Sequence, residues 1–180
     1  MPTPEKTSLG RIVTAGRELL EAGGRQGLTM KSVADRVGVR SPSLYKHVRN
    51  RAALLAAVAV ATAEDLTVRL EATDESLREL AHCYRRFAKD RPEGFRLLNS
   101  PHTPPESLAR AVEPLLRTSR CLVGEAEALD AARLWTAWAT GFIEMELNGA
   151  FRLGGDVDRA FEYGLAGMDR ALAGGPAATG

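Results

Sequence analysis

Cysteine occurs only twice in the 180-residue chain, at Cys83 and Cys121. Two are too few for a disulfide framework, so the expected compartment is the reducing cytoplasm. Histidine occurs three times, as His47, His82 and His102, at no spacing that suits a metal, and no cofactor is expected. There is no Gly-x-Ser-x-Gly elbow. The Gly-rich stretch Gly23-Gly24-Arg25-Gln26-Gly27 follows helical periodicity rather than a strand, so it reads as a turn and not a phosphate loop. These absences count against an enzyme. The run of about 18 apolar residues that a membrane span needs is missing. The start, Met1-Pro2-Thr3-Pro4-Glu5-Lys6, lacks the basic-then-apolar layout of a secretory signal. Strand-like alternation is nearly absent as well.

Helical periodicity is present almost throughout, and the fold class it predicts is all-α with about nine helices. Leu9, Ile12, Val13, Leu19 and Leu20 repeat at three- and four-residue spacings, and Gly23-Gly24 supplies a stop. Thr29 reads as an N-cap before Met30, Val33, Ala34 and Val37, with Gly38 closing that helix. Ser41 reads as the cap of a further short helix, with Pro42 at its first position. A long helix is predicted from near Asn50 to Glu71. Another starts at Thr73 or Asp74 and breaks at Pro92, and a short one holds Phe95, Leu97 and Leu98. Beyond the Pro-rich loop from Asn99 to Pro105, helices are predicted over about 106–122, 127–150 and 156–172, followed by a disordered tail at 174–180.

The net charge of +1 conceals an asymmetry: residues 1–55 hold ten Lys/Arg against four Asp/Glu, and the remainder fourteen against nineteen. A basic segment joined to an acidic one points to one end that meets a polyanion. Within the basic segment, Thr29 to His47 has the layout of a helix-turn-helix. Ala34 is small where two helices would cross, and Gly38 can take the positive φ of a sharp turn. Val39 and Leu44 would plug the second helix onto the first. Arg40, Ser41, Ser43, Tyr45, Lys46 and His47 then remain at the outer surface, where a helix can enter the major groove of DNA. An ordinary αα-hairpin would use the same small residues, and the charge favours the DNA reading.

Leu28-Thr29-Met30-Lys31-Ser32-Val33-Ala34 and Gly38-Val39-Arg40-Ser41-Pro42-Ser43-Leu44-Tyr45-Lys46-His47-Val48-Arg49-Asn50-Arg51 closely resemble the DNA-binding domain of TetR-family transcriptional regulators. The likeness spans residues 8–66 and includes Arg11-Ile12-Val13 and Leu19-Leu20 of the preceding helix. It implies that Thr29 donates to a phosphate, with Lys31 on the same DNA-binding surface. Arg40, Ser41 and Ser43 would read bases or grip the adjoining backbone, and Tyr45 and His47 would meet phosphates. Lys46 would read a base or add charge. Arg51 replaces a lysine that usually meets phosphate, with a different contact geometry.

Further along, Gly141-Phe142, Glu146-Leu147, Gly149-Ala150-Phe151 and Asp156-Val157-Asp158-Arg159-Ala160-Phe161 resemble the C-terminal domain of members named for a Trp-His-Gly motif. Thr140 stands here where that histidine would precede Gly141, and the nearest tryptophans are Trp135 and Trp138. The expected organisation is therefore a DNA-binding domain over 8–66 and an antiparallel helical effector-binding and dimerisation domain over 67–173. The penultimate helix shows one stripe of Leu134, Trp138, Gly141, Met145 and Asn148 and another of Trp135, Phe142 and Glu146. The last helix offers Val157, Phe161, Leu165, Met168 and Leu172. Helices with two apolar faces bury one in their own core and one in something else. The resemblance makes that partner a second copy, whose twofold symmetry matches a palindromic operator.

The resemblance also implies a small effector, for which the candidate lining residues are His82, Cys83, Phe87, Phe95, Trp138, Phe142 and Met145. Thr140 and Glu144 add polar groups on one helix face. The expected protein is a homodimeric repressor released from double-stranded DNA by an unknown small molecule. Two alternatives stay open, a DNA-binding dimer without a ligand and a redox-responsive regulator using Cys83 and Cys121.

Overall fold

The helical periodicity is realised in nine helices, with no strand among the described residues, which are 7–74 and 76–173 of a computed structural model. They are α1 (Leu9–Gly27), α2 (Met30–Val37), α3 (Ser41–Leu44), α4 (Arg51–Glu71), α5 (Leu77–Asp90), α6 (Pro92–Leu98), α7 (Pro105–Val123), α8 (Ala128–Leu147) and α9 (Val157–Ala173). The tail expected at 174–180 lies outside the described residues.

Local chemistry explains where the boundaries moved. The stop expected at Gly23-Gly24 is a break, with Gly24 at φ 61° and ψ −169°, after which one more turn runs to Gly27. Thr73 and Asp74 do not start α5. The Thr73 hydroxyl donates to the Leu70 carbonyl and so belongs to the turn that ends α4. Asp74 accepts from the Ser76 amide at 3.0 Å, which holds its carboxyl below the ordinary value. The cap is Ser76, whose Oγ accepts from the Glu79 amide at 3.1 Å. Ser41 likewise is not a cap. Arg40 is the N-cap of α3, without a side-chain bond, and Ser41 is its first helical residue.

Two compact units result, one through Leu66 and again over Arg91–Ala109, the other over Thr67–Asp90 and onward from Arg110. The sequence assigns 67–173 to a single domain, whereas α6 packs with the first unit, against α1. The reason is local: the Glu21 carboxylate on α1 accepts from the Glu93 and Gly94 amides at 3.1 and 2.9 Å, satisfying the orphan donors at the start of α6. The core of this unit joins Ile12, Leu20, Leu28, Val33, Leu44, Val48, Leu54, Val58 and Leu97. A β-carbon at Gly16 would lie 2.7 Å from Val58 Cγ2, so α1 and α4 meet as closely as they do because residue 16 has no side chain.

In the second unit α5, α8 and α9 pack around Phe161, which is fully buried. The rings of Trp138 and Phe142 lie 5.4 and 5.1 Å from it. Trp138 covers Gly164, where a β-carbon would sit 2.3 Å from the indole. Arg85 of α5 is 7% exposed, yet its guanidinium makes three charge-assisted bonds. It donates twice to Glu146 of α8 at 2.7 and 2.5 Å and once to Asp158 of α9 at 2.6 Å, and it stacks 4.5 Å above the Phe161 ring.

Candidate nucleic-acid interface

The first unit builds a helix-turn-helix from caps and one glycine. The Thr29 hydroxyl accepts from the Ser32 amide at 3.0 Å, and Ser32 Oγ accepts from the Thr29 amide at 2.9 Å, a reciprocal box at the start of α2. Gly38 ends α2 at φ 78° and ψ 35°, donating to the Ala34 and Asp35 carbonyls. Its left-handed backbone turns the chain directly into α3. Ala34 and Leu44 are buried at the crossing, and Val39 packs on the same core.

With Leu44 as the inward plug, α3 presents its other side chains to solvent. Arg40, Tyr45 and Lys46 are exposed, while Ser41, Ser43 and His47 are half-buried. Tyr45, 53% exposed, is a large aromatic ring with no core role. Arg40, Ser43, Lys46 and His47 also line a shallow concavity of about 380 Å3 with Thr7, Gly38 and Val39. No acidic residue lies between Gly38 and Arg51, so this face has two long cations and no fixed anion to repel phosphate. Lys31 is exposed on the first turn of α2, where the helix dipole also favours an anion.

Two of the nine residues implied as DNA contacts have intramolecular work. The Thr29 hydroxyl is within 3.0 Å of Ser32 Oγ as well as its amide. Arg51 departs further from its expected role. Its Nε donates to the Leu28 carbonyl at 2.8 Å and its Nη2 to the Arg25 carbonyl. Sequence reasoning missed the part played by Ser32, because a capping box is usually sought as Glu or Gln at the third helical position.

The nine effector candidates do not share one cavity. Phe95 belongs to the first unit and the other eight to the second. Phe87 and Phe95 are fully buried, and Cys83 is buried too. His82 Nε2 lies 2.9 Å from a Glu162 carboxylate oxygen. Trp138 and Phe142 pack on Phe161, and Met145 faces solvent at 47% exposure. Thr140 meets the Tyr84 hydroxyl at 3.1 Å, and Glu144 accepts from Asn148 Nδ2 at 3.4 Å. None of the nine lines the open cleft of about 490 Å3 in the second unit, which is walled by Leu77, Arg78, Arg117, Cys121, Leu122 and Asp169 among others.

The two cysteines differ sharply. Burial pushes the Cys83 thiol up, against the weaker pull of Arg86 and Arg69, whereas Cys121 is exposed. In the folded protein iodoacetamide should therefore label Cys121 within minutes and leave Cys83 unmodified until denaturant is added. Peptide mass mapping reads this, and labelling of both thiols at equal rates would contradict the packing around Cys83.

Comparison with known proteins matches two stretches of the chain, the second of which also takes in α6 of the first unit. Residues 12–58 match the family of bacterial regulatory proteins called tetR, and residues 77–168 match the tetracyclin repressor-like C-terminal domain. An uncharacterized HTH-type transcriptional regulator of Mycobacterium tuberculosis is 29% identical over 98% of this chain and 88% of its own length. The class G tetracycline repressor of Vibrio anguillarum is 35% identical, over 51% of this chain and 40% of the repressor. Among solved structures, a TetR regulator of Streptomyces coelicolor superposes with a TM-score of 0.77 at 21% identity, covering 93% of this chain and 98% of that one. A TetR variant of Acinetobacter baumannii AYE in complex with minocycline gives 0.71 at 25% identity, covering 92% and 96%.

Proposed function

The chain belongs to the TetR family of bacterial transcriptional regulators, and from that premise we propose that it is a homodimeric repressor released from a palindromic operator by a small molecule. The observation that supports this most is the outward face of α3, cationic and aromatic, held rigid by the Gly38 turn and the Leu44 plug. In this reading residues 8–66 grip DNA and 67–173 dimerise and hold the effector. Arg40, at the start of α3, and Ser43 read base edges, Lys46 adds a base or phosphate contact, and Tyr45, His47, Ser41, Lys31 and Thr29 position the protein on the backbone.

The second copy has a matching surface. Leu134, Gly141 and Met145 form an outward stripe on α8, and Ala160, Tyr163 and Ala171 are exposed on α9. An outward apolar stripe beside small residues suits close helix packing between two copies. An effector would act by binding the released form of the dimer more tightly than the DNA-bound form, since equal affinity shifts nothing. Thr140, which replaces the histidine of the Trp-His-Gly pattern, is engaged with Tyr84, so ligand recognition here would not pass through that histidine.

Fluorescence anisotropy over a salt series tests the reading, with DNA from upstream of the protein's own gene and unrelated DNA as control. Selective binding with a steep salt slope is expected. Failure to select any genomic fragment would overturn it. In the same assay Tyr45→Ala should weaken binding about tenfold on every sequence, whereas Arg40→Ala should lose about tenfold on the operator only, by relaxing preference at one base pair. An equal loss from Arg40→Ala on both DNAs would remove its base-reading role.

A further inference from the structure

The residue that the resemblance assigns to a phosphate, Arg51, is bonded elsewhere. It is the first residue of α4, and its guanidinium reaches back to two carbonyls 26 and 23 residues earlier, those of Arg25 and Leu28. One carbonyl lies in the last turn of α1, after the Gly24 break, and the other is that of its C-cap residue, just before α2. With α1 broken there, the helix no longer satisfies its last carbonyls in the ordinary way. Leu28 is fully buried in the core of the unit, and the next residue, Thr29, is the N-cap of α2. A guanidinium offers two donors along one edge in a fixed plane, which suits two carbonyls close together in the chain. A lysine ammonium has no such edge.

We propose that Arg51 is a positioning residue: it hitches the first turn of α4 to the start of α2, and so sets where α2 and the α3 that follows it stand for operator recognition. The inference rests on the DNA-binding reading above and adds a residue that acts through the fold rather than by touching phosphate.

The two roles predict different behaviour. If Arg51 only positions, Arg51→Met should lower operator affinity about tenfold, leave affinity for unrelated DNA unchanged, and keep the salt slope. Arg51→Lys should fall with it, since an ammonium lacks the planar edge on which Nε and Nη2 meet the two carbonyls together. If Arg51 holds a phosphate, Arg51→Met should weaken both DNAs and reduce the slope by about one per subunit, and Arg51→Lys should behave like the parent protein. A further measurement needs no DNA. Hydrogen exchange in the free protein should quicken at least fivefold at the Ser32 and Val33 amides, which bond to Thr29, and stay unchanged in α9. Unaltered exchange at those amides, or full rescue by lysine, would overturn the proposal. A parent protein that binds no DNA selectively would instead overturn the repressor reading and leave the exchange test decisive for Arg51.

Discussion

Replacing Arg85 with methionine should cost about 3 kcal/mol of stability at pH 7, the magnitude expected when one partner of a buried ion pair is removed. Arg85 donates to Glu146 and Asp158 from beneath the surface, and Glu146 is itself largely covered. Methionine fills a similar volume but leaves the Glu146 carboxylate with only Lys89, 2.8 Å away, to offset its lost hydration. Trp135 and Trp138 both lie in the second unit, so a urea titration followed by tryptophan fluorescence reports the right part of the molecule. Burial pushes the Glu146 carboxyl up, but the hydrogen bonds from Arg85 and Lys89 outweigh it and hold the group below the ordinary glutamate value. A depressed carboxyl contributes its full stabilisation above the unfolded pKa of about 4.3 and loses it as pH falls through the lower folded value. The gap between parent and Arg85→Met should thus be constant from pH 6 to 8 and narrow toward pH 3. A loss under about 1 kcal/mol at pH 7 would mean that Lys89 alone satisfies the carboxylate.

That ion pair shows what a sequence hides. Arg85 sits among Ala81, Tyr84 and Ala88 on the buried face of α5, and its partners lie 61 and 73 residues away. Nothing local distinguishes it from a solvated arginine. The helix-turn-helix was legible for the opposite reason: the Thr29 cap, the small Ala34, the left-handed Gly38 and the Leu44 plug all act within sixteen residues, where backbone chemistry dominates. The start of α5 was ambiguous because Thr73, Asp74 and Ser76 are all good caps within four residues, and only the hydroxyl bond back to Leu70 settles Thr73 into α4's end. Effector candidates were the least legible. Aromatic residues at helical spacing look alike whether they wall a cavity or fill a core, and Phe87 and Phe95 prove to be buried in different units. Arg51 occupies a position that a motif labels by charge, while its bonds depend on where Gly24 breaks α1.

The second large effect concerns the outward stripe of α8. Leu134 and Met145 are 51% and 47% exposed, three helical turns apart on one face. Both side chains are about half exposed, and exposed substitutions usually alter folding stability by less than about 0.5 kcal/mol. In a dimer built on this face, changing both to arginine would bury four cations, two from each copy, against one another. The expected outcome is a folded monomer at micromolar concentration, read by light scattering with an unchanged helical spectrum. DNA binding then separates affinity from avidity. On a single half-site the variant should equal the parent, because α3 is untouched. On the full palindrome it should lose at least about 100-fold, since linking two modules multiplies affinity by about 10² to 10⁴ without any new contact. A variant that remains dimeric would move the interface off this stripe. A monomer that keeps full affinity for the palindrome would mean that one helix-turn-helix carries the whole recognition, and twofold matching of protein to operator would no longer be part of how this chain reads DNA.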